Sequence, residues 1–281
     1  MKIRRYCYLI ALVLLSGCTS PLTATPTLPP APVATLYPTN PPPAPTTAAS
    51  TNVPDTGWLA GRPGIELRKL QVVQNGQPTS LVIVRIDPAA VRLRVAYTPE
   101  APRALRSWFS DTGALLAING GFFTAEYRAT ALLVSDGEVS GESYDGFGGM
   151  LAVAPDGSVS IRPLRDQAYN PDEQLAQALQ SFPMLIFPGN VPADLNDNGE
   201  RTRRSALALD QTGRLLVIAA PGASWTLSEL AAWLSQSDLN IDRALNLDGG
   251  SSTGLYVRDG ELVEAIDSFG PVPSVLLVEA K

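Results

Sequence analysis

Between Thr19 and Pro54 the chain carries no charged residue and is dominated by proline, threonine and alanine, as in Pro41-Pro42-Pro43-Ala44-Pro45-Thr46-Thr47. Such a segment lacks the large apolar side chains whose burial offsets the entropy of ordering, and its prolines favour an extended polyproline conformation. Residues 18–56 therefore read as a disordered tether, and the part able to bury a core is residues 57–281. At ~3.1 Å per residue the tether would reach about 100 Å. That is enough to enter a cell-wall layer; a plain spacer is the other reading.

Upstream, Lys2, Arg4 and Arg5 precede an apolar run from Leu9 to Leu15 that is too short to span a bilayer, and Leu15-Ser16-Gly17-Cys18 follows. This pattern predicts a bacterial lipoprotein signal over residues 1–17, with Cys18 lipidated after cleavage. The domain would then be exported and held by its lipid on the outer face of the cytoplasmic membrane or in the cell envelope. An ordinary signal peptide with an incidental cysteine is the alternative. Removing residues 1–17 deletes three basic residues and no acid, which takes the net charge from −6 to −9. With no Lys/Arg cluster in the foldable part, nucleic acid is not an expected partner. An anionic ligand would have to be met by individual arginines.

The two cysteines are Cys7 and Cys18, and the sequence has no histidine. These absences remove disulfides and thiol nucleophiles from the domain, Ser-His-Asp triads, and metal sites built on His or Cys. Lys69 and the terminal Lys281 are the only lysines in residues 57–281, which leaves little room for a Ser-Lys dyad. Catalysis would have to use carboxylates, hydroxyls, arginine or an oxygen-ligated ion, and no cofactor is required by what remains.

Alternating stretches such as Ser80–Ile86 and Val91–Ala96 predict strands, and Asp156-Gly157 and Thr212-Gly213 between apolar runs predict hairpin turns. Pro171–Gln180 reads as a helix. A second follows Thr226, where Thr226 and Glu229 form a capping box ahead of Leu227, Leu230, Ala231 and Leu234; a weaker one runs over Pro102–Phe109. Many strands with a few inserted helices predict an α+β fold, a single globular domain around a mostly antiparallel or mixed sheet.

Two segments look like built corners. Ala244-Leu245-Asn246-Leu247-Asp248-Gly249-Gly250-Ser251-Ser252-Thr253 is an apolar strand ending in one carboxylate, two glycines and three hydroxyls. Glycines 249 and 250 allow close approach, and the amides and hydroxyls after them can receive an anion. Asp248 is the leading candidate for nucleophile or general acid/base; a turn-capping role is the alternative. Ala117-Ile118-Asn119-Gly120-Gly121-Phe122-Phe123 repeats the design, with Asn119 as a neutral donor and acceptor and Phe123 as a wall for a sugar ring. Core packing of Phe122 and Phe123 is the plainer reading. Arg204, just before the apolar strand that starts at Ser205, suits phosphate or carboxylate recognition, whereas Arg201 and Arg203 read as a solvated edge. Asp194–Gly199 matches the first half of a calcium loop, but its twelfth position is Ser205 instead of glutamate, so an Asx-rich turn is preferred and calcium stays as the alternative. Glu126, Glu142 and Asp145 are candidates for a second carboxylate.

Taken in order, Asn119-Gly120-Gly121-Phe122-Phe123, then Phe182-Pro183-Met184-Leu185-Ile186 with Gly189, then Arg204-Ser205-Ala206, then Asn246-Leu247-Asp248-Gly249-Gly250 with Ser252-Thr253, resemble the phosphodiester glycosidase family over most of residues 67–279. Ser251 replaces a common third glycine and Ser205 a common threonine, which points to a bacterial branch. The resemblance implies an active site lined by Asn119, Arg204, Asp248, Ser252 and Thr253, with Gly120, Gly121, Phe123, Ser205, Gly249, Gly250 and Ser251 in contact with substrate. It implies a hydrolase that frees a sugar from a glycosyl 1-phosphodiester in an envelope glycan or glycosyl-phosphate polymer. A non-catalytic module binding glycans or calcium through the same pocket is the rival.

Overall fold

The computed structural model describes residues 55–196 and 198–281. The expectations for the leader, for Cys18 and its lipid, and for nearly all of the tether lie outside the described residues. The described chain begins with β1 (Leu59–Ala60), β2 (Ile65–Gln74), β3 (Gln77–Ile86), β4 (Val91–Tyr97), helix α1 (Leu105–Thr112) and β5 (Leu116–Asn119). Short strands β6 (Leu133–Ser135), β7 (Glu138–Ser140), β8 (Gly149–Val153), β9 (Val159–Pro163) and β10 (Gln177–Ser181) follow. The last part holds β11 (Met184–Phe187), β12 (Val191–Pro192), β13 (Thr202–Asp210), β14 (Leu215–Trp225), helix α2 (Leu227–Gln236), β15 (Ile241–Asn246), β16 (Leu255–Asp259), β17 (Leu262–Ile266) and β18 (Ser274–Ala280).

These strands make three sheets in the orders β1-β2-β3-β14-β13-β15-β11-β12, β7-β6-β10-β8-β9 and β17-β16-β5-β18-β4. The pairings along them are antiparallel, including the long β2–β3, β13–β14 and β18–β4 ladders. The α+β expectation therefore resolves on its antiparallel side. Because strand side chains alternate between faces, the near-continuous apolar runs imply sheets buried on both sides. In β3, Val82, Val84 and Ile86 enter the core shared by all three sheets, while Leu81 and Ile83 pack under α2 with Leu230 and Leu234. β14 divides in the same way, Leu215 and Val217 against Leu216 and Ile218. Helix α1 covers the outer face of the third sheet through Leu105, Trp108 and Phe109. Each such side chain contributes about 1.5–3 kcal/mol when fully buried.

Local signals act as expected at several points. Thr226 and Glu229 form the capping box of α2, and the Asp156-Gly157 and Thr212-Gly213 turns join β8 to β9 and β13 to β14. The weaker helix forms but starts later, at Leu105. The helix expected over Pro171–Gln180 does not form: Gln177–Ser181 is β10, paired with β6 on one side and β8 on the other. Ala178 and Leu179 point into different cores, so sheet pairing that buries both faces overrides the helix propensity of this stretch.

Candidate active site

The two Gly-Gly corners meet. Asp248 donates its backbone N–H to Gly120 O at 3.2 Å, and Asn119 Nδ2 donates to Asp248 O at 2.7 Å. Asn119 Oδ1 in turn accepts from Ser205 Oγ at 2.7 Å and from the Gly254 N–H at 3.2 Å. One fully buried amide thus ties the end of β5 to β13 and to both sides of the Asp248 turn. Asn246 and Leu247 extend the seam through N–H bonds to Pro183 O and Ser205 O.

Glycine serves this seam by close approach. A Cβ on Gly121 would lie 2.6 Å from Gln180 O, and one on Gly249 would lie 2.9 Å from Arg203 O. Backbone oxygens cannot swing aside, so Gly249→Ala is expected to lose roughly 1–3 kcal/mol and to shift the Asp248 turn. Thermal unfolding and turnover, measured together, should both fall; a variant with wild-type values in both would show that the contact yields.

Beside the seam lies a pocket of about 380 Å³ lined by Phe122, Phe182, Arg204, Asn246, Asp248 and Gly249, among others. One wall is aromatic: the Phe122 and Phe182 rings lie 4.4 Å apart, and Tyr144 and Phe147 continue the cluster, with Phe147 half exposed. Polar residues Asn198, Glu200, Thr202 and Arg204 also line it, together with Leu227 at the start of α2. A larger cleft of about 670 Å³ beside Arg92, Asp136 and Lys281 has no comparable chemistry. Its carboxylate, Asp136, is engaged by Gln177 and Arg92.

Burial pushes the Asp248 carboxyl above the usual carboxylate range, and hydrogen bonds from the Ser252 side chain and the Gly249 backbone oppose the rise only in part. Desolvation disfavours the charged form of any carboxylate, and that is the condition in which it becomes a stronger base. Arg204 is positioned from its own side: Nε donates to Trp225 O at 3.1 Å and Nη2 to Glu200 O at 2.8 Å. Its head runs alongside Gly249, 3.8 Å from where a Cβ would stand.

Of the residues expected from sequence, the pocket lining includes Asp248, Arg204, Gly249 and Gly250. Asn119, Gly120, Gly121 and Ser205 are buried behind it. Ser252 reaches Asp248 through its hydroxyl, Thr253 is fully buried, and Ser251 is exposed with its carbonyl bound to the Phe269 N–H. Phe123 packs instead with the α1 core and on Tyr127, and its neighbour Phe122 faces the pocket. Arg203 is not a solvated edge: it is 6% exposed, lies 4.0 Å from the Phe269 ring centroid and donates to Asp267 O. Glu126, Glu142 and Asp145 are exposed and line no part of this pocket, whereas Glu200 does. Nothing in its local sequence sets Glu200 apart from a surface acid, and only the fold brings it to the pocket. In the calcium reading of Asp194–Gly199 the oxygen ligands would fall at the alternate positions Asp194, Asn196 and Asn198, and Asn198 lines the pocket described above. Among the described residues no three acidic side chains cluster as a metal site would require.

The antiparallel fold thus brings a desolvated carboxylate and a guanidinium to one pocket with aromatic residues in its lining. The phosphodiester glycosidase profile matches residues 112–279. The chain belongs to the phosphodiester glycosidase family. In structure it is similar to the zebrafish N-acetylglucosamine-1-phosphodiester alpha-N-acetylglucosaminidase catalytic domain auto-inhibited by pro-peptide, with TM-score 0.63 and 15% identity over 82% of this chain and 89% of that one. A hypothetical protein from Synechocystis gives TM-score 0.53 at 18% identity over 78% of this chain and 62% of that one. A putative exported protein from Burkholderia pseudomallei gives 0.54 at 14% over 72% and 74%. At these identities the likeness is one of fold. No curated protein sequence matches the chain.

Proposed function

We propose that this protein hydrolyses glycosyl 1-phosphodiesters in the cell envelope, held to the membrane by a lipid on Cys18. The observation that carries the reading is the sharing of one pocket by the half-buried Asp248 carboxylate, the Arg204 guanidinium and the aromatic pair Phe122 and Phe182. A sugar ring stacks on Phe122 and Phe182, and the phosphodiester lies toward Arg204. The bond from C1 to the phosphate oxygen breaks, its electron pair leaves with the phosphate monoester, and the oxygen of water ends on C1. A phosphate monoester departs readily, so the larger needs are neutralisation of its charge and a carboxylate beside the oxocarbenium-like carbon. Arg204 supplies the first. Asp248 supplies the second, as nucleophile or as base for water, and Glu200 is the candidate for the second carboxylate that glycoside cleavage uses.

The test is hydrolysis of a nitrophenyl ester of a hexose 1-phosphate in ¹⁸O-labelled water. Release of free sugar together with nitrophenyl phosphate that carries no label supports the proposal; labelled nitrophenyl phosphate, or release of sugar 1-phosphate, would make the protein a phosphodiesterase and reject it. Arg204→Ala is expected to lower kcat/KM by about 100-fold. Unchanged kinetics in that variant would remove Arg204 from the site.

A further inference from the structure

At about 380 Å³ the pocket lies near the low end of the ~300–1,000 Å³ typical of ligand sites, enough for one sugar and its phosphate. The aromatic surface does not end with it. Phe182 lines the pocket, is 37% exposed and meets the ring of Phe147 edge-on at 5.9 Å. Phe147 is outside the lining, is 50% exposed and stacks on Tyr144 at 4.5 Å. Single exposed apolar side chains are ordinary. These two rings touch each other, and the loop that carries Phe147 is fixed. The fully buried Gln180 amide accepts from the Tyr144 N–H at 2.9 Å and donates to the Ser143 hydroxyl at 2.8 Å. The Tyr144 hydroxyl lies 2.7 Å from that of Thr130. A ring stacked on so anchored a neighbour has little freedom left to lose when a ligand settles on it.

The charges in the loop over residues 141–148 are Glu142 and Asp145. Carboxylates accept from hydroxyls and repel phosphate, so this surface suits a neutral, polyhydroxylated ring and not a second anion. It is also small. A whole Phe buries about 150–250 Å², so two rings exposed to this degree offer on the order of 150–200 Å², against about 800 Å² per partner in a stable protein interface.

We propose that Phe147, together with Phe182, forms a second sugar subsite continuous with the pocket, and that the substrate is an oligosaccharide or polysaccharide 1-phosphodiester, not a lone sugar on phosphate. This rests on the pocket taking a glycosyl 1-phosphodiester, as proposed above. The sugar bonded through C1 to phosphate rests on Phe122 and Phe182, and the residue linked to one of its other hydroxyls rests on Phe147. Hydrolysis at C1 then releases a phosphate monoester and an oligosaccharide with a free reducing end.

The experiment compares glucose and N-acetylglucosamine 1-phosphates with maltose, cellobiose and chitobiose 1-phosphates, by calorimetry on the full chain and on its Phe147→Ala and Phe147→Trp variants. In wild type the second sugar is expected to tighten binding about 10-fold in at least one series. In Phe147→Ala the ratio of disaccharide to monosaccharide affinity should fall close to one, and Phe147→Trp, which keeps an aromatic face, should retain the gain. A ratio left at its wild-type value in Phe147→Ala would overturn the proposal, as would equal affinities for both lengths in wild type or no binding of any sugar phosphate. Sedimentation velocity covers the other occupant: a wild-type dimer that Phe147→Ala converts to monomer would assign the ring to contact between copies and overturn the proposal. Binding needs no turnover, which separates the two claims. A gain with length that depends on Phe147, without sugar release, keeps the subsite and removes the hydrolase. Sugar release with no effect of length does the reverse.

Discussion

Asp248→Asn is expected to lower turnover of a glycosyl 1-phosphodiester by roughly 1,000-fold or more, and at neutral pH to melt higher than wild type. Both effects come from the same burial. An amide of nearly the same shape keeps the turn between Leu247 and Gly249 but can neither attack C1 nor take a proton from water. The stability gain follows from linkage. The folded-state pKa of Asp248 is raised by desolvation above its ordinary value of 3.8. Ionisation is therefore harder in the folded protein than in the unfolded chain. The resulting cost is absent below pH 3.8, where both states are protonated. It grows as pH rises, and is complete above the raised folded-state pKa. The advantage of the asparagine variant should be present at pH 7 and vanish on acidification below about 4, as measured by thermal unfolding across pH. For a domain of this size each kcal/mol moves the melting temperature about 2–4 °C. The same raised pKa places the acid limb of the wild-type rate profile above the ordinary carboxylate range, with activity lost as pH falls through it. A variant that is as active as wild type, or less stable than it at pH 7, would remove Asp248 from its proposed role.

Asn119→Ala is expected to produce the largest loss of stability of any single change near the site. The amide is fully buried and serves four polar groups: the carbonyls of Asp248 and Gly120, the Ser205 hydroxyl and the Gly254 N–H. Truncation leaves several of them unpaired away from water and opens a small cavity. Together these effects should cost roughly 3–5 kcal/mol. The melting temperature should fall by about 10 °C or more, and turnover should fall with it because Asp248 loses its anchor. A change under about 2 °C would show that the seam closes without the amide. In the proposed function Asn119 is therefore a positioning residue, acting through the turn that it holds.

Much of the fold is legible where the deciding contacts are local. The α2 capping box joins residues three apart, and the Asp156-Gly157 and Thr212-Gly213 hairpins need only a turn and the alternation on either side. Gln177–Ser181 shows where that legibility stops. Its residues suit a helix, and it becomes β10 because β6 and β8 flank it and cores wait on both faces. In the site, Asp248, Arg204 and the glycines after Asp248 could be singled out because a carboxylate or an arginine at the edge of an apolar strand is locally anomalous. Phe122 and Phe123 could not be told apart by type, and the sequence does not show that Arg203, read as a solvated edge, is buried beside Arg204. Which neighbour faces the pocket depends on how the strand end is rotated against its partners, and each pair is split by that rotation.

By itself the sequence determined that chemistry would fall to carboxylates, hydroxyls and arginine, since it carries no histidine and no cysteine beyond Cys18. It also determined where strands alternate and where the chain must turn, because these are properties of neighbouring residues. Only the tertiary structure decided that Asn119 meets a carbonyl 129 residues away, that Glu200 joins the pocket, and that Phe147 stands against Phe182. Those outcomes depend on which strand ends are brought side by side. That is settled by the burial of three sheets against one another, an energy summed over the whole domain and written in no single segment of the chain.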